Sequence, residues 1–168
     1  MNFEVIDIRR VDSTGNFKLN EDYILSYDHS DGWNERMLSL GIYIDLIFEC
    51  KVRIRFYTRN HDKFGKQFEC EIPSEIKNII SEIINLDLLT LKHHYADIFM
   101  EDMSSEHYVI NHSGKSHNIG IGTLLKKLQP ENPSEELFVT LTELFEKWRE
   151  EIYQDCLKNI IPNNPHDS

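Results

Sequence analysis

The sequence lacks any long hydrophobic run of the kind that spans a membrane or directs secretion. Its first ten residues contain Glu4 and Asp7 within their apolar stretch, which is not the pattern of a signal peptide or a membrane anchor. We therefore expect a cytoplasmic protein that makes no membrane contact.

Cysteine is also scarce. The three cysteines, Cys50, Cys70 and Cys156, are widely separated and odd in number, without the paired spacing of a zinc site or a disulfide framework. We expect core thiols, no bound metal and no other cofactor. The sequence has no repeat or flexible linker either, so it predicts a single domain over residues 1–161 and a disordered tail at 162–168.

Recognisable catalytic motifs are missing. The sequence has no Gly-x-Ser-x-Gly elbow and no cysteine within a nucleophile motif. The segment Gly114-Lys115-Ser116 is similar to the end of a phosphate-binding loop, but Val109 stands where that loop requires glycine. The residues that follow alternate like a strand, whereas the loop must lead into a helix. The pattern therefore favours a protein that is not an enzyme.

Three histidines, His107, His112 and His117, recur at five-residue intervals. In the hairpin predicted for this region, His107 and His117 project from opposite faces, so the three rings do not converge on one metal ion. A small hydrolase or metal-dependent enzyme that uses the His107 to His117 region is the alternative to a binding protein.

Basic residues are few relative to acidic ones. The chain has 29 Asp and Glu against 18 Lys and Arg, which gives a formal net charge of -11. Nucleic-acid binding needs clustered lysines and arginines to neutralise phosphates, so this balance disfavours it. An acidic surface suits a basic protein partner.

Alternation of apolar and polar side chains from position 42 to 56 is the strongest structural signal. A β-strand places every second side chain on one face, so the pattern predicts one long half-buried strand, or two strands in phase. Its apolar members are Ile42, Ile44, Leu46, Phe48, Cys50, Val52, Ile54 and Phe56. Shorter strands are predicted over 2–11, 23–27 and 95–100.

Residues 67–72 alternate in the same way and predict a hairpin with the end of the long strand. The predicted cross-strand partners are Phe56–Phe68, Arg55–Glu69 and Arg53–Glu71. Opposite charges across an antiparallel pair contribute roughly 0.2–1 kcal/mol each. The conspicuous basic stripe of this strand is thereby assigned a structural role.

A second hairpin is predicted at residues 107–121. With Ser113-Gly114 as its two-residue turn, Tyr108 lies opposite Ile119 and Ile110 lies opposite His117.

Two amphipathic helices complete the predicted fold. One begins near Ser74 and repeats isoleucine at helical spacing, and the other begins at Pro133 after the capping residue Asn132 and runs to about Lys158. We therefore expect an α+β fold, with a mainly antiparallel sheet and two principal helices packed on one face.

The polar segment from Asp28 to Trp33 is predicted to be a loop that presents a tryptophan among acids. Loops on a rigid scaffold often carry binding residues, and tryptophan is enriched at binding hot spots. We assign partner binding to Asp28, Asp31 and Trp33, extended by Glu101 and Asp102. The outer face of the sheet is the alternative surface.

The order of elements from Phe56 to Trp148 resembles that of small acidic bacterial α+β domains of unassigned function. It includes Tyr95, Glu101-Asp102 and the run from Tyr108 to Lys115. Acidic proteins of this size also resemble the immunity proteins that neutralise antibacterial toxins. The resemblance implies a bacterial accessory protein that acts by binding, and it assigns no functional residue.

Overall fold

The computed structural model describes residues 2–98 and 102–160. The protein has an α+β fold whose main layer is a seven-stranded sheet. The strands are β1 (Arg9–Val11), β2 (Phe17–Leu19), β3 (Tyr23–Ser30), β4 (Ser39–Asp45), β5 (Cys50–Tyr57), β6 (Lys63–Cys70), β7 (His94–Tyr95), β8 (Ser105–His112) and β9 (Lys115–Ile121). The helices are α1 (Val5–Ile8), α2 (Ser74–Ile83) and α3 (Pro133–Ile160), with a 3-10 turn at Leu88–Thr90.

The main sheet has the order β6-β5-β4-β3-β8-β9-β7. Neighbouring strands in this sheet are antiparallel, except for the short parallel pair β7 and β9. The predicted fold class is therefore confirmed. None of the described helices is long and apolar enough to cross a membrane. The tail predicted at 162–168 lies outside the described residues.

The alternating segment 42–56 forms two strands in phase, which was one of the two predicted alternatives. A turn at 46–49 separates β4 from β5, and the Asp45 carboxylate accepts hydrogen bonds from the N–H groups of Ile47 and Glu49. Leu46 and Ile47 are therefore exposed, at 57% and 74%, although Leu46 keeps the apolar phase.

The hairpin of β5 and β6 is confirmed, but its predicted register is wrong by four residues. Arg53 lies opposite Gln67 and Arg55 lies opposite Gly65, so the predicted pairs with Glu71 and Glu69 do not form. The turn is short because Thr58 and Asp62 close it with a backbone hydrogen bond of 2.9 Å. A shift of four residues leaves every side chain on its predicted face, which is why the alternation could not reveal the error.

The hairpin of β8 and β9 has the predicted register, with Tyr108 opposite Ile119 and Ile110 opposite His117. Its turn residues Ser113 and Gly114 have φ values of 51° and 74°. A two-residue turn with both residues in this left-handed region matches the twist of the flanking strands.

Three predicted segments differ in length from the observed ones. The strand predicted at 2–11 is helical at Val5–Ile8 and extended only from Arg9, and β3 continues to Ser30 through part of the predicted loop. The strand predicted at 95–100 is reduced to His94–Tyr95 and an isolated bridge at Ile98, and its last two residues lie outside the described residues.

Helices α2 and α3 both pack on one face of the main sheet and form a single core with it. The Asn132 side chain accepts a hydrogen bond of 3.0 Å from the Glu135 N–H, which caps α3 as predicted. The fully buried side chains of α3 that face the sheet are Phe138, Leu141 and Phe145.

The opposite, outer face of the sheet is covered in part by α1 and the two-stranded sheet of β1 and β2. Ile8, Leu19, Tyr43 and Val109 form a second, smaller core there. Asn118 holds this cover in place, because its side chain bonds both the N–H and the carbonyl of Phe17 at 2.9 and 2.8 Å.

The packing predicts the cost of emptying the centre of the main core. Phe145 is fully buried and its ring lies 4.8 Å from that of Tyr27, so Phe145→Ala should lower the free energy of unfolding by about 3–5 kcal/mol. Lys147→Ala on the exposed side of α3 is the matched control and should change little. Urea unfolding curves that coincide for the two variants would contradict this core.

Candidate functional site

The structure brings Trp33 and Asp102 together at one end of the sheet. The backbone N–H of Trp33 donates a hydrogen bond of 2.9 Å to the backbone carbonyl of Asp102, so loop 31–38 lies against segment 102–104. Glu101, the neighbouring predicted residue, lies outside the described residues. The exposed side chains of these two segments include Trp33, Glu35, Met37, Asp102 and Met103, which we call the Trp33 surface.

Trp33 is the most exposed large hydrophobic side chain described, at 78%. Its backbone is nonetheless confined, because Gly32 meets the facing segment closely. A Cβ on Gly32 would lie 2.1 Å from the Asp102 carbonyl oxygen, so only glycine fits this approach. Met37 and Met103 are also 43% and 44% exposed. The indole therefore projects into solvent from a constrained backbone.

Asp31 closes the base of the loop and is not itself part of the exposed surface. Its side chain is only 3% exposed. The carboxylate accepts hydrogen bonds from the Leu38 N–H at 2.8 Å and from Arg36 Nε at 2.8 Å. Burial opposes ionisation, but hydrogen bonds from Arg36, His29 and the Leu38 N–H outweigh it and lower the pKa of Asp31 to about 2.

His29 connects Asp31 to the interior. Its Nε2 lies 2.9 Å from Asp31 Oδ1 and its Nδ1 lies 3.0 Å from Arg149 Nη1. Because arginine only donates, we assign Nδ1 as the acceptor and Nε2–H as the donor to Asp31. His29 thus bridges the Arg149 guanidinium and the Asp31 carboxylate.

Arg149 lies at the centre of this network, on the sheet-facing side of α3, and is only 7% exposed. Its guanidinium donates to Tyr27 Oη at 3.0 Å and to the Glu106 carboxylate. Tyr27 also donates to Glu106 at 2.8 Å. Burial and the negative charge of Glu106 raise the pKa of Tyr27 well above its ordinary value, so the phenol stays protonated.

A second connection joins the loop directly to α3. Arg36 spans from Asp31 to Glu150, with an Nη1 to carboxylate distance of 2.9 Å, and its guanidinium lies 4.9 Å from the ring centre of Tyr153. The loop that carries Trp33 is thus held by ionic contacts at its base and by α3 at its side.

Asp28, the remaining predicted residue, lies elsewhere. It is on the outer face of β3, where its carboxylate pairs with Arg9 and lies 3.4 Å from the Tyr43 hydroxyl. Burial raises the pKa of Asp28 despite the adjacent guanidinium. Asp28 therefore supports the covered outer face and does not share a surface with Trp33.

The three histidines of the alternative hypothesis do not converge. The His107 ring packs edge-on against Phe17 at 5.2 Å on the outer face, and burial lowers the pKa of His107 to about 4. The rings of His112 and His117 lie 6.4 Å apart at the hairpin turn. Within residues 2–98 and 102–160, no three His, Cys, Asp or Glu side chains form a group that could hold a metal ion.

Comparison with protein-family models gives no match to this sequence, and comparison with curated proteins gives none either.

Sequence reasoning missed the charges that hold the loop: His29, Arg36, Glu106 and Arg149. One signal was available for Arg149, which stands four residues after Phe145 and three before Ile152, in the middle of the apolar stripe of α3. A lone arginine at such a position indicates a buried cation that requires a carboxylate on the facing layer.

The network predicts a pH-dependent contribution from Asp31. A carboxyl whose pKa falls from about 3.9 in the unfolded chain stabilises the fold above that pH and loses the effect below it. We expect Asp31→Asn to lower the free energy of unfolding by about 3 kcal/mol at pH 7. The gap to the wild type should narrow by about 1 kcal/mol at pH 3.

Urea unfolding at the two pH values measures this gap. Asp155→Asn removes an exposed carboxylate from α3 and is the matched control, with little change at either pH. A gap for Asp31→Asn that is the same at pH 7 and pH 3 would show that the Asp31 carboxylate is not held as described.

Proposed function

We propose that this chain is a non-enzymatic binding protein that engages a basic protein partner through the Trp33 surface. The observation that carries the proposal is the combination of a 78% exposed indole with a loop anchored at its base by the buried Asp31 carboxylate, which pairs with Arg36 and is hydrogen-bonded to His29. A large apolar side chain left in water gains stability when a partner buries it.

The anchoring of the loop supports binding because it reduces the ordering that association requires. Immobilising a free side chain or loop at an interface costs free energy that is subtracted from affinity. Here the Asp31 contacts with Leu38, Arg36 and His29 fix the loop before any partner arrives. The backbone that carries the indole is then already ordered, and tryptophan is the kind of side chain that partners bury at the centre of an interface.

The charge balance supports a basic partner. The chain carries a formal charge of -11, and the Trp33 surface itself includes the exposed acids Glu35 and Asp102. Such a potential steers a positively charged protein toward the surface and raises its association rate. The resemblance to immunity proteins makes a basic antibacterial toxin the partner class to test first, with inhibition as the outcome of binding.

The proposal gives the five predicted residues different roles. Trp33 and Asp102 are contact residues, and Glu101, which lies outside the described residues, stays a predicted contact. Asp31 is a positioning residue, because the hydrogen bonds within the loop described above already occupy its carboxylate. Asp28 is left out of the contact surface, since it pairs with Arg9 under the outer cover.

The proposal predicts that removing the indole weakens binding without weakening the fold. Trp33→Ala should raise the dissociation rate of the partner about 30-fold or more, as expected for a hot-spot residue worth at least about 2 kcal/mol. The matched control is Ile47→Ala, which removes a side chain of similar exposure, 74%, from the turn at the opposite end of β4.

The measurement starts from parallel pull-downs in which the wild type, Trp33→Ala and Ile47→Ala serve as baits. Binding kinetics are then measured between each bait and each purified candidate partner. A basic protein retained by the wild type and Ile47→Ala but lost by Trp33→Ala supports the proposal. Equal kinetics for all three baits, with unchanged unfolding curves, would remove the Trp33 surface from consideration.

The charges of the surface predict a different kinetic signature. Asp102→Asn keeps a residue type that tolerates the observed φ of 65°, and Glu35→Gln is similar in shape to the native side chain. Both substitutions should lower the association rate at low salt and leave dissociation nearly unchanged. The difference in association rate between each variant and the wild type should shrink as salt reduces the Debye length to about 8 Å. Association rates that do not depend on salt would contradict steering.

A further inference from the structure

Two cysteines that are 20 positions apart in sequence face each other across the hairpin of β5 and β6. Cys50 and Cys70 are direct cross-strand partners in the antiparallel register. Their sulfur atoms lie 3.6 Å apart, and both thiols are free. Directly opposed residues in antiparallel strands have Cα atoms about 4.5–5.5 Å apart, which lies within the range that a disulfide spans.

We propose that Cys50 and Cys70 form a dithiol site that reacts with small disulfide oxidants and closes into a reversible cross-strand disulfide. The backbone already meets the requirement, so closure needs only small side-chain rotations that bring the sulfurs from 3.6 Å to about 2.05 Å. The inference is independent of the Trp33 surface.

The two thiols differ in access, which gives each a role. Cys50 is buried at 2% exposure, whereas Cys70 is partly exposed at the end of β6, the edge strand of the main sheet. Hydrogen bonding with Cys50 lowers the pKa of Cys70, and the same contact together with burial raises the pKa of Cys50. Cys70 is therefore the thiol that meets the oxidant, and Cys50 is the resolving thiol.

The reaction proceeds by two exchanges. The Cys70 thiolate attacks one sulfur of the oxidant RS–SR, which forms a mixed disulfide and releases one RS⁻. Cys50, on losing its proton, attacks the Cys70 sulfur, forms the intramolecular bond and releases the second RS⁻. Two electrons pass from the protein thiols to the oxidant, and the two protons are taken up by the products as two RSH.

Cys156 provides an internal reference. It is a buried thiol of α3, at 7% exposure, and burial raises its pKa. It shares the chain and the chemistry but has no thiol partner among the described residues. A reagent that merely unfolds the protein exposes Cys156 together with the other two, whereas the dithiol site reacts without it.

The test uses the reduced full-length protein incubated with oxidised glutathione under native conditions. After acid quenching, the remaining thiols are alkylated in urea and counted by intact mass. We expect the wild type to retain only the Cys156 thiol, to carry no glutathione and to regain all three thiols on reduction. Cys156→Ser should then retain none, and Cys50→Ser should keep glutathione on Cys70 because it lacks the resolving thiol.

Three results would overturn the proposal. The first is retention of all three thiols by the folded wild type under conditions that oxidise a small dithiol. The second is a wild-type protein that accumulates a stable glutathione adduct on Cys70 without forming the internal bond. The third is loss of the Cys156 thiol at the same rate as the other two, which would assign the reaction to unfolded chains.

Discussion

The guanidinium of Arg149 imposes the constraint on which the end of the molecule that carries Trp33 depends, because a buried cation without compensation destabilises a core by several kcal/mol. Its compensation comes from Tyr27 and Glu106 on two adjacent strands, which ties α3 to the centre of the sheet. His29 contacts both Arg149 and Asp31, so the loop beyond the sheet is connected to a cation inside it. The loop and the core are therefore joined by one connected network of charged and polar side chains.

Local patterns in the sequence predict most of the fold. Alternation over 42–56, the Ser113-Gly114 turn and the Asn132 cap each depend on neighbouring residues, and each predicts the observed element. The register of β5 and β6 could not be obtained in this way, because a shift by an even number of residues preserves the faces. What separates the alternatives is the length of the turn, which Thr58 and Asp62 determine through a hydrogen bond.

Prediction of the site was limited by the same locality. Trp33 can be singled out from its residue type and its position along the chain. The burial of Asp31, in contrast, depends on Arg36 and on α3, and α3 is more than a hundred residues away in sequence. Asp28 and Asp31 are three residues apart in sequence and belong to different layers, since β3 continues to Ser30 and the chain then turns away. Acids that are neighbours in sequence therefore have unrelated partners in space.

The attachment of β2 to β9 has a consequence for the order in which the chain assembles. Phe17 is held by Asn118, 101 positions later, and Leu19 is held by Ser116, 97 positions later. During synthesis at about 5–20 residues per second, the segment made first waits several seconds for the strand that receives it. Until Ser116 and Asn118 are made, the hydrogen bonds that fix β2 are missing, and the cover over Tyr43 is incomplete.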